Sequence, residues 1–401
     1  MIRGILRVLI TTVVSIVLVT GAFAGGYAVS ARVFPPAPPP DGGAPSDWKP
    51  YFPVFWEAWR YVHQDFYKTP IDDSKLVYGS VSGMVDALND PYSHFTDPAT
   101  AKITGTELQG SFEGIGATVE MVEGRLTIVA PIKDSPADKA GLLPGDIVLK
   151  VNETIIQNMD VNQAVALIRG PKGSTVTLQI QRIKQPAPFT VSIVRDTIRT
   201  PFVESRMIEG TNIAYLRLNE FGTTAPDEMN TALGQLLAQH PTGLIFDLRR
   251  DGGGLLDVSI DVASEFLKGG QTVLIEKQKD GTVQQLKTHD GGLATDIPMV
   301  LLIDGGSASA SEIVSAALKD YKRATLIGTK TFGKGSVQFV NTLSDQSELR
   351  VTTAHFFSPK GNEINGVGVS PDIEVKVTDD DLANKRDPQL DRAIQFLTTG
   401  Q

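Results

Sequence analysis

The sequence predicts a multidomain α/β protein, and three observations carry that expectation. From about residue 200 onward, apolar strand-like runs alternate with helical patterns, the signature of a layered α/β core. Between about 105 and 185 the texture is different, with short strands punctuated by glycine turns. Ahead of both lie an apolar leader, a proline-rich stretch and two helical patterns. With 401 residues the chain has length for two or three cores.

Composition narrows the chemistry. The formal net charge is -9 and no basic patch with interleaved aromatics occurs, which argues against nucleic-acid binding. Cysteine is absent, so disulfides, zinc-thiolate sites and thiol nucleophiles are excluded. The five histidines show no metal-binding spacing, and neither a metal nor a cofactor is expected.

At the N-terminus, Arg3 and Arg7 precede an uncharged stretch from Val8 to Ala31. As a helix it would span about 36 Å at roughly 1.5 Å per residue, enough for a bilayer core. Positive charge before it predicts an N-terminus in the cytoplasm and the rest of the chain outside. A cleaved signal peptide with "AFA" (Ala22 to Ala24) at its end is the alternative. A membrane anchor is preferred because the apolar run continues past that site. Either way the chain is exported, to the periplasm or cell surface. "FPPAPPPDGGAPSD" (Phe34 to Asp47) then reads as a stiff spacer.

"VFWEAWRYVHQDFY" (Val54 to Tyr67) has helical spacing, and its aromatics are expected to make core contacts. Ser74 can cap a second helix running to about Leu88. In the glycine-turn region, two strands should meet near Glu123-Gly124, followed by a short helix, a Pro-Gly turn and a strand over Ser135 to Asn152. An amphipathic helix is expected over Met159 to Gly170 and an alternating strand over Ser174 to Arg182. This segment resembles a PDZ domain, through "AGLLPGDIVLKVN" above all. The resemblance implies that "GIGA" (Gly114, Ile115, Gly116, Ala117) captures a peptide's terminal carboxylate on backbone N–H groups. Without it, those glycines would be read only as a turn.

Beyond residue 200, strands are expected at Asn212 to Leu218, Thr242 to Arg249, near 272–277 and over 299–304. Helices are expected over Ala225 to His240, Gly254 to Leu267, the segment after Asp304, and Arg386 to Leu397. The segment "DGGSASASEIVSAALKD" (Asp304 to Asp320) raises a chemical question. A strand, a tight turn and a helix can lift a serine hydroxyl clear of a sheet, as nucleophile elbows do. Taken alone, "SASE" (Ser309 to Glu312) reads first as a capping box. Ser307 precedes the helix, and Ser311 would lie inside it.

A serine nucleophile needs a base. His63, His240 and His289 are unpromising, while His94 and His355 are less easily dismissed. "GTKTFGKGSVQ" (Gly328 to Gln338) places Lys334 between two glycines beside apolar residues that could desolvate it. By itself that pattern is a surface lysine in a turn.

Together these motifs resemble the carboxy-terminal processing, or tail-specific, proteases. The resemblance covers about residues 50 to 400 and rests on "DPYSHF", the PDZ segment, "DLRRDGGGLL", "SASASE" and "TFGKGSVQ" in order. It implies a crotonase-like α/β protease core with an inserted PDZ domain and an N-terminal helical segment. It implies Ser309 as nucleophile, Lys334 as general base and Gln338 as the residue that orients the lysine amine. It further implies an oxyanion hole from Gly253 or Gly254 together with Ala310. Arg169 matches a PDZ arginine that takes part in switching some relatives. Asp320 falls on about the same helix face as Ser309 and is expected to support the site and to meet a cation. Asp251 stands where many members carry Asn.

The expected segments are a leader (1–31), a linker (32–48), a helical segment (49–104), the PDZ domain (105–185), the protease core (186–378) and a C-terminal helix (379–401). The expected function is endoproteolysis near the C-terminus of exported proteins, with the PDZ domain reading apolar C-termini. Protein substrates, the membrane and a second copy in a homo-oligomer are the expected partners. A non-catalytic PDZ scaffold on a decayed protease fold is the rival, disfavoured by intact Ser309, Lys334 and Gln338. An enoyl-CoA hydratase-like enzyme would not account for the PDZ segment.

Overall fold

The computed structural model describes residues 51–400 apart from Asp160, Lys184 and Pro186. The expected leader and linker lie outside the described residues. Among the described residues no helix is long and apolar enough to cross a membrane.

Residues 51–73 form a unit of their own. Its helix, Phe52–Asp65, starts with a proline in its first turn, where a missing N–H costs nothing. No residue of this helix is buried, which corrects the expectation of aromatic core contacts. The rings contact one another instead: Phe55 and Trp56 lie 5.1 Å apart, and Trp59 stacks on His63 at 5.2 Å. The next helix spans Asp73–Asp86, so Ser74 lies inside it and does not cap it.

In the second unit, 74–401, the α/β core is built on a six-stranded sheet. Its order is Val203–Met207, Ile213–Leu218, Gly243–Asp247, Met299–Ile303, Thr325–Gly328 and Ile373–Glu374. Only the first pair is antiparallel. The sequence alternates so that both faces are apolar, as a parallel sheet covered on two sides requires. Leu216, Phe246, Leu301 and Leu326 point into the main core, which the helices Ala225–Leu237, Leu256–Ser264 and Ala310–Asp320 cover. Tyr215, Ile245, Val300 and Ile327 point the other way, against Ala393 and Leu390 of the C-terminal helix Pro388–Thr399.

That second face carries a polar clamp. Asp247 is fully buried and accepts from the Tyr215 hydroxyl (2.7 Å) and from Arg249 (2.7 Å). Arg249 also donates to Asp387 (2.7 Å), at the head of the C-terminal helix. Burial and the adjacent carboxylate push the Tyr215 phenol up to about 12. The "DLR" of "DLRRDGGGLL" is thus a tie between the sheet and the chain end.

A second, five-stranded sheet centres on Glu348–Phe357. That strand pairs His94–Thr96, Ser336–Thr342 and Thr272–Gln278, so it joins the "DPYSHF" segment to the lysine segment.

The PDZ domain enters and leaves the core through a two-stranded ribbon, Ser111–Gly114 against Asp196–Arg199. The expected hairpin turns at Glu123-Gly124, both at positive φ, between Ala117–Val122 and Arg125–Pro131. The PDZ sheet extends to Phe189–Val194, beyond the expected boundary at 185, and Ile193 belongs to its core. Ala117–Val122 is an edge strand.

Candidate active site

The helix Ala310–Asp320 follows strand Met299–Ile303 through a tight turn. Ser309 heads that helix with φ 55° and ψ -114°. Positive φ is uncommon for a residue with a Cβ and persists only where the surroundings enforce it. Here both neighbouring serines are committed. Ser307 is buried and donates to the Leu248 carbonyl (2.7 Å), and Ser311 is buried and donates to the Asp251 carbonyl (2.9 Å). Ser309 instead lines a cavity of about 360 Å³ together with Lys334 and Gln338.

One side chain ties these pieces together. Glu312, fully buried, accepts the Ser309 N–H (3.0 Å) and the Lys334 N–H (2.8 Å) on Oε2. Its Oε1 accepts the Gly333 N–H (2.7 Å) and the Thr331 hydroxyl (2.5 Å). The expected capping box is therefore half of a larger device. The carboxyl that turns back on the helix start also holds a loop some twenty residues downstream.

The Lys334 amine stands over the Tyr92 ring, 5.3 Å from its centroid. Burial, then the positive charge of Arg350, holds this amine below its ordinary value, while Asp90 and Glu312 pull the other way. Asp90 accepts from the Tyr92 N–H (3.3 Å) and the Ser93 hydroxyl (2.5 Å). Ser93 in turn accepts from the Thr352 N–H (3.0 Å). "DPYSHF" is thus a turn pinned to the second sheet that presents Tyr92 to the lysine. Neither Tyr92 nor Arg350 stood out in the sequence.

Gln338 does not make the expected bond to Lys334. Its amide nitrogen donates to Ser336 Oγ (2.8 Å) and Thr352 Oγ1 (3.1 Å), although it lines the same cavity. No histidine lines that cavity. His94 and His355 are exposed, and His355 alternates with inward Ala354 and Phe356, which puts it on the opposite face of its strand.

Gly253 and Gly254 curl against the serine. At Gly253, φ is 103°, and a Cβ would sit 2.8 Å from Ser309 Cβ and 2.9 Å from the Ala310 nitrogen. Only glycine fits so close an approach. The Gly253 N–H is engaged by Asp251 Oδ1 (2.8 Å), whereas Gly254 and Ala310 line the cavity. Much of the remaining lining is apolar, including Leu255, Ile313, Val340 and Phe356.

Asp320 is a correction. It lies at the far end of the helix, outside the cavity lining, and pairs with no cationic side chain among the described residues. It accepts from the Ser358 hydroxyl (2.5 Å) and the Lys360 backbone N–H (2.9 Å), which fastens the helix end to a hairpin loop.

In the PDZ domain a groove of about 340 Å³ runs between the edge strand and the helix Val161–Ile168, with Ile115, Gly116 and Ala117 at one end. Gly114 lies outside it, paired with Asp196 in the ribbon. Arg169 packs on the Phe112 ring (4.4 Å) and donates to Thr106 Oγ1 (3.1 Å). Thr106 belongs to the helix Pro98–Glu107. From that helix Ile103 lines the PDZ groove, while Thr104 and the adjoining Leu108 line the Ser309 cavity. One short segment borders both sites.

Comparison with known proteins agrees with this anatomy. Residues 212–375 match peptidase family S41, 127–182 match a PDZ domain, and 52–100 match the N-terminal domain of the activating protease CtpB. The chain is 41% identical to a carboxy-terminal-processing protease of Bartonella bacilliformis over 314 residues, 77% of this chain and 72% of that one. It is 38% identical to the carboxy-terminal processing protease CtpA of Bacillus subtilis over 323 residues, 80% and 68% of the two chains. A solved structure of a putative S41 protease from Bacteroides fragilis shares the fold, with TM-score 0.53 at 18% identity over 84% of this chain and 92% of that one. The chain belongs to peptidase family S41 and is a carboxy-terminal processing protease, a serine-type endopeptidase with a PDZ domain.

Proposed function

We propose that this protease cuts exported proteins near their C-termini by a Ser309/Lys334 mechanism. The observation that carries the reading is a strained, cavity-facing serine sharing that cavity with a lysine whose charge is disfavoured. In its neutral form Lys334 takes the Ser309 proton as Oγ attacks the scissile carbonyl carbon. The resulting oxyanion is met by the Gly254 and Ala310 N–H groups, since Gly253 is occupied by Asp251. Each such donor is worth about 3–4 kcal/mol in the transition state. The lysine then gives its proton to the leaving amine, and water hydrolyses the acyl-enzyme. Gln338 Oε1 is the side of that amide left to face the lysine when substrate is bound, and the apolar lining suits an apolar residue before the cut.

Serine replacements test the site. Ser309→Ala should leave essentially no cleavage of a fluorogenic peptide. Ser307→Ala and Ser311→Ala should fold less stably and retain part of it, because their hydroxyls serve the backbone. Proteomics of C-terminal peptides in cells with and without Ser309→Ala extends the test to the substrate. Changed termini on exported proteins are expected. Changes confined to cytoplasmic proteins would contradict both export and anchoring by residues 8–31.

The PDZ groove supports a role in reading substrate C-termini. An apolar C-terminal peptide adds beside the edge strand Ala117–Val122, with its carboxylate at Ile115, Gly116 and Ala117. Arg169, through the helix Pro98–Glu107, is the side chain placed to relay occupancy toward Ser309. Calorimetric titration of one peptide as free acid and as amide into the Ser309→Ala chain should give at least about a tenfold weaker amide, about 1.4 kcal/mol. Equal affinities would show that the groove reads something other than a terminal carboxylate.

A further inference from the structure

Asp251 is a buried acid that the mechanism above does not use. It is fully buried, at the start of the glycine turn beside the nucleophile. Its backbone is stitched to both shoulders of Ser309: its carbonyl accepts the Ala308 N–H (3.0 Å) and the Ser311 hydroxyl (2.9 Å). Its Oδ1 turns back on the loop and takes the Gly253 N–H (2.8 Å). Its Oδ2 is buried with no hydrogen-bond partner. No cation pairs with the carboxyl among the described residues, and the charged groups facing it are Glu220 and Arg217. An ionised oxygen left unpartnered in such a place is costly, so the environment selects the neutral acid.

We propose that Asp251 is a positioning residue for acyl transfer at Ser309: as the neutral acid it latches the Gly253 N–H, which fixes the glycine turn around the serine and leaves Gly254 and Ala310 facing the cavity. The proposal rests on Ser309 being the nucleophile. Neutrality matters because negative charge would otherwise sit beside the place where the oxyanion develops. Burial pushes this carboxyl up to about 8, with Glu220 adding to the rise and the Gly253 N–H, the nearby Ser311 hydroxyl and Arg217 opposing it. The neutral acid therefore predominates at neutral pH, and the charge grows in as pH passes about 8. Asn is the neutral isostere: its oxygen can hold the same N–H and its amide cannot ionise.

The test compares the full-length wild type with Asp251→Asn, Asp251→Ala and Ser309→Ala on a fluorogenic peptide from pH 6 to 10. Asp251→Ala should lower kcat at least about tenfold with KM within about twofold, the pattern of a lost transition-state arrangement. Asp251→Asn should restore most of that loss at pH 7. In the wild type kcat should fall away as pH passes about 8, and in Asp251→Asn that alkaline decline should be gone. The melting temperature supplies a second readout. A carboxyl raised in the folded state loses its stabilising proton as pH rises, so the Asn variant should gain on the wild type between pH 6 and 9. An Asp251→Ala with wild-type kcat, or superimposable pH profiles for wild type and Asn variant, would overturn the proposal. If Asp251→Ala does not fold, the Asn profile alone decides. An inactive Ser309→Ala beside superimposable profiles rejects only this inference, whereas an active Ser309→Ala rejects the nucleophile it depends on.

Discussion

Lys334→Arg should remove nearly all peptide cleavage, with kcat down by about 10²–10⁴-fold, the scale of a lost general base. Arginine keeps the positive charge but cannot surrender its proton at any working pH. The half-buried amine beside Arg350 is already short of stabilisation as an ammonium. On the acid side of the decline expected from Asp251, cleavage should therefore rise with pH as Lys334 deprotonates, with the rise below the range of an ordinary lysine. The same burial predicts a gain in stability when the amine is removed. A group whose protonated form is disfavoured by folding costs stability below its folded pKa, and that cost disappears as pH rises through it. Lys334→Met, close in volume and apolar, should thus be as inactive as Lys334→Arg and melt at a higher temperature at pH 7. Wild-type kcat in either folded variant would exclude Lys334 as the base.

The legible parts of the fold were those whose sequence pattern is local. The core strands read correctly because residues such as Ile245 and Phe246 must be apolar on both faces of a covered sheet. The PDZ hairpin read correctly because Glu123-Gly124 supplies two positive-φ positions in a row. The strands Ser336–Thr342 and Glu348–Phe357 were not assigned as elements. They pair with each other as a hairpin, but adjacent Phe339 and Val340 are both exposed and break the alternation, and the other partners of Glu348–Phe357, His94–Thr96 and Thr272–Gln278, are distant in sequence. The aromatics of Phe52–Asp65 misled for a related reason: helical spacing reports a face, not what covers it. At the site, the turns that carry Ser309 and Lys334 are legible, but taken alone they read as a capping box and a surface lysine, and only the family resemblance joins them. Tyr92, Arg350 and the Gly253 latch of Asp251 are not legible, because each acts through contacts between segments far apart in sequence. Asp320 misled because an eleven-residue offset gives a helix face but says nothing of the three turns between the two ends.

Glu312 is the case in which a local signal hid a long-range one, and its replacement should have the second large effect. Its two oxygens accept four hydrogen bonds, two from Ser309 and Lys334 themselves. Glu312→Ala strands four donors in a fully buried place. At about 1–3 kcal/mol per unsatisfied group, the loss rivals the whole stability of a typical domain. Glu312→Gln is the sharper experiment. It keeps one acceptor oxygen, but the other becomes an NH₂ that faces N–H groups, so two donors lose their partner at a cost of about 2–6 kcal/mol. Thr331 would register the change directly, because its hydroxyl also accepts the Val369 N–H (2.7 Å). The loop bearing Lys334 would be released from the helix bearing Ser309, and a displacement of about 1 Å between reacting groups can cost about 10²-fold in rate. Glu312→Gln should therefore melt well below the wild type and, at a temperature where it is folded, show kcat reduced at least about 10²-fold. KM should change little, because the apolar lining that holds the substrate is not built on Glu312. The measurement is steady-state kinetics beside a denaturant titration. A variant that lost stability but kept its kcat would mean that other contacts hold the serine and the lysine in register, with Glu312 serving the fold alone.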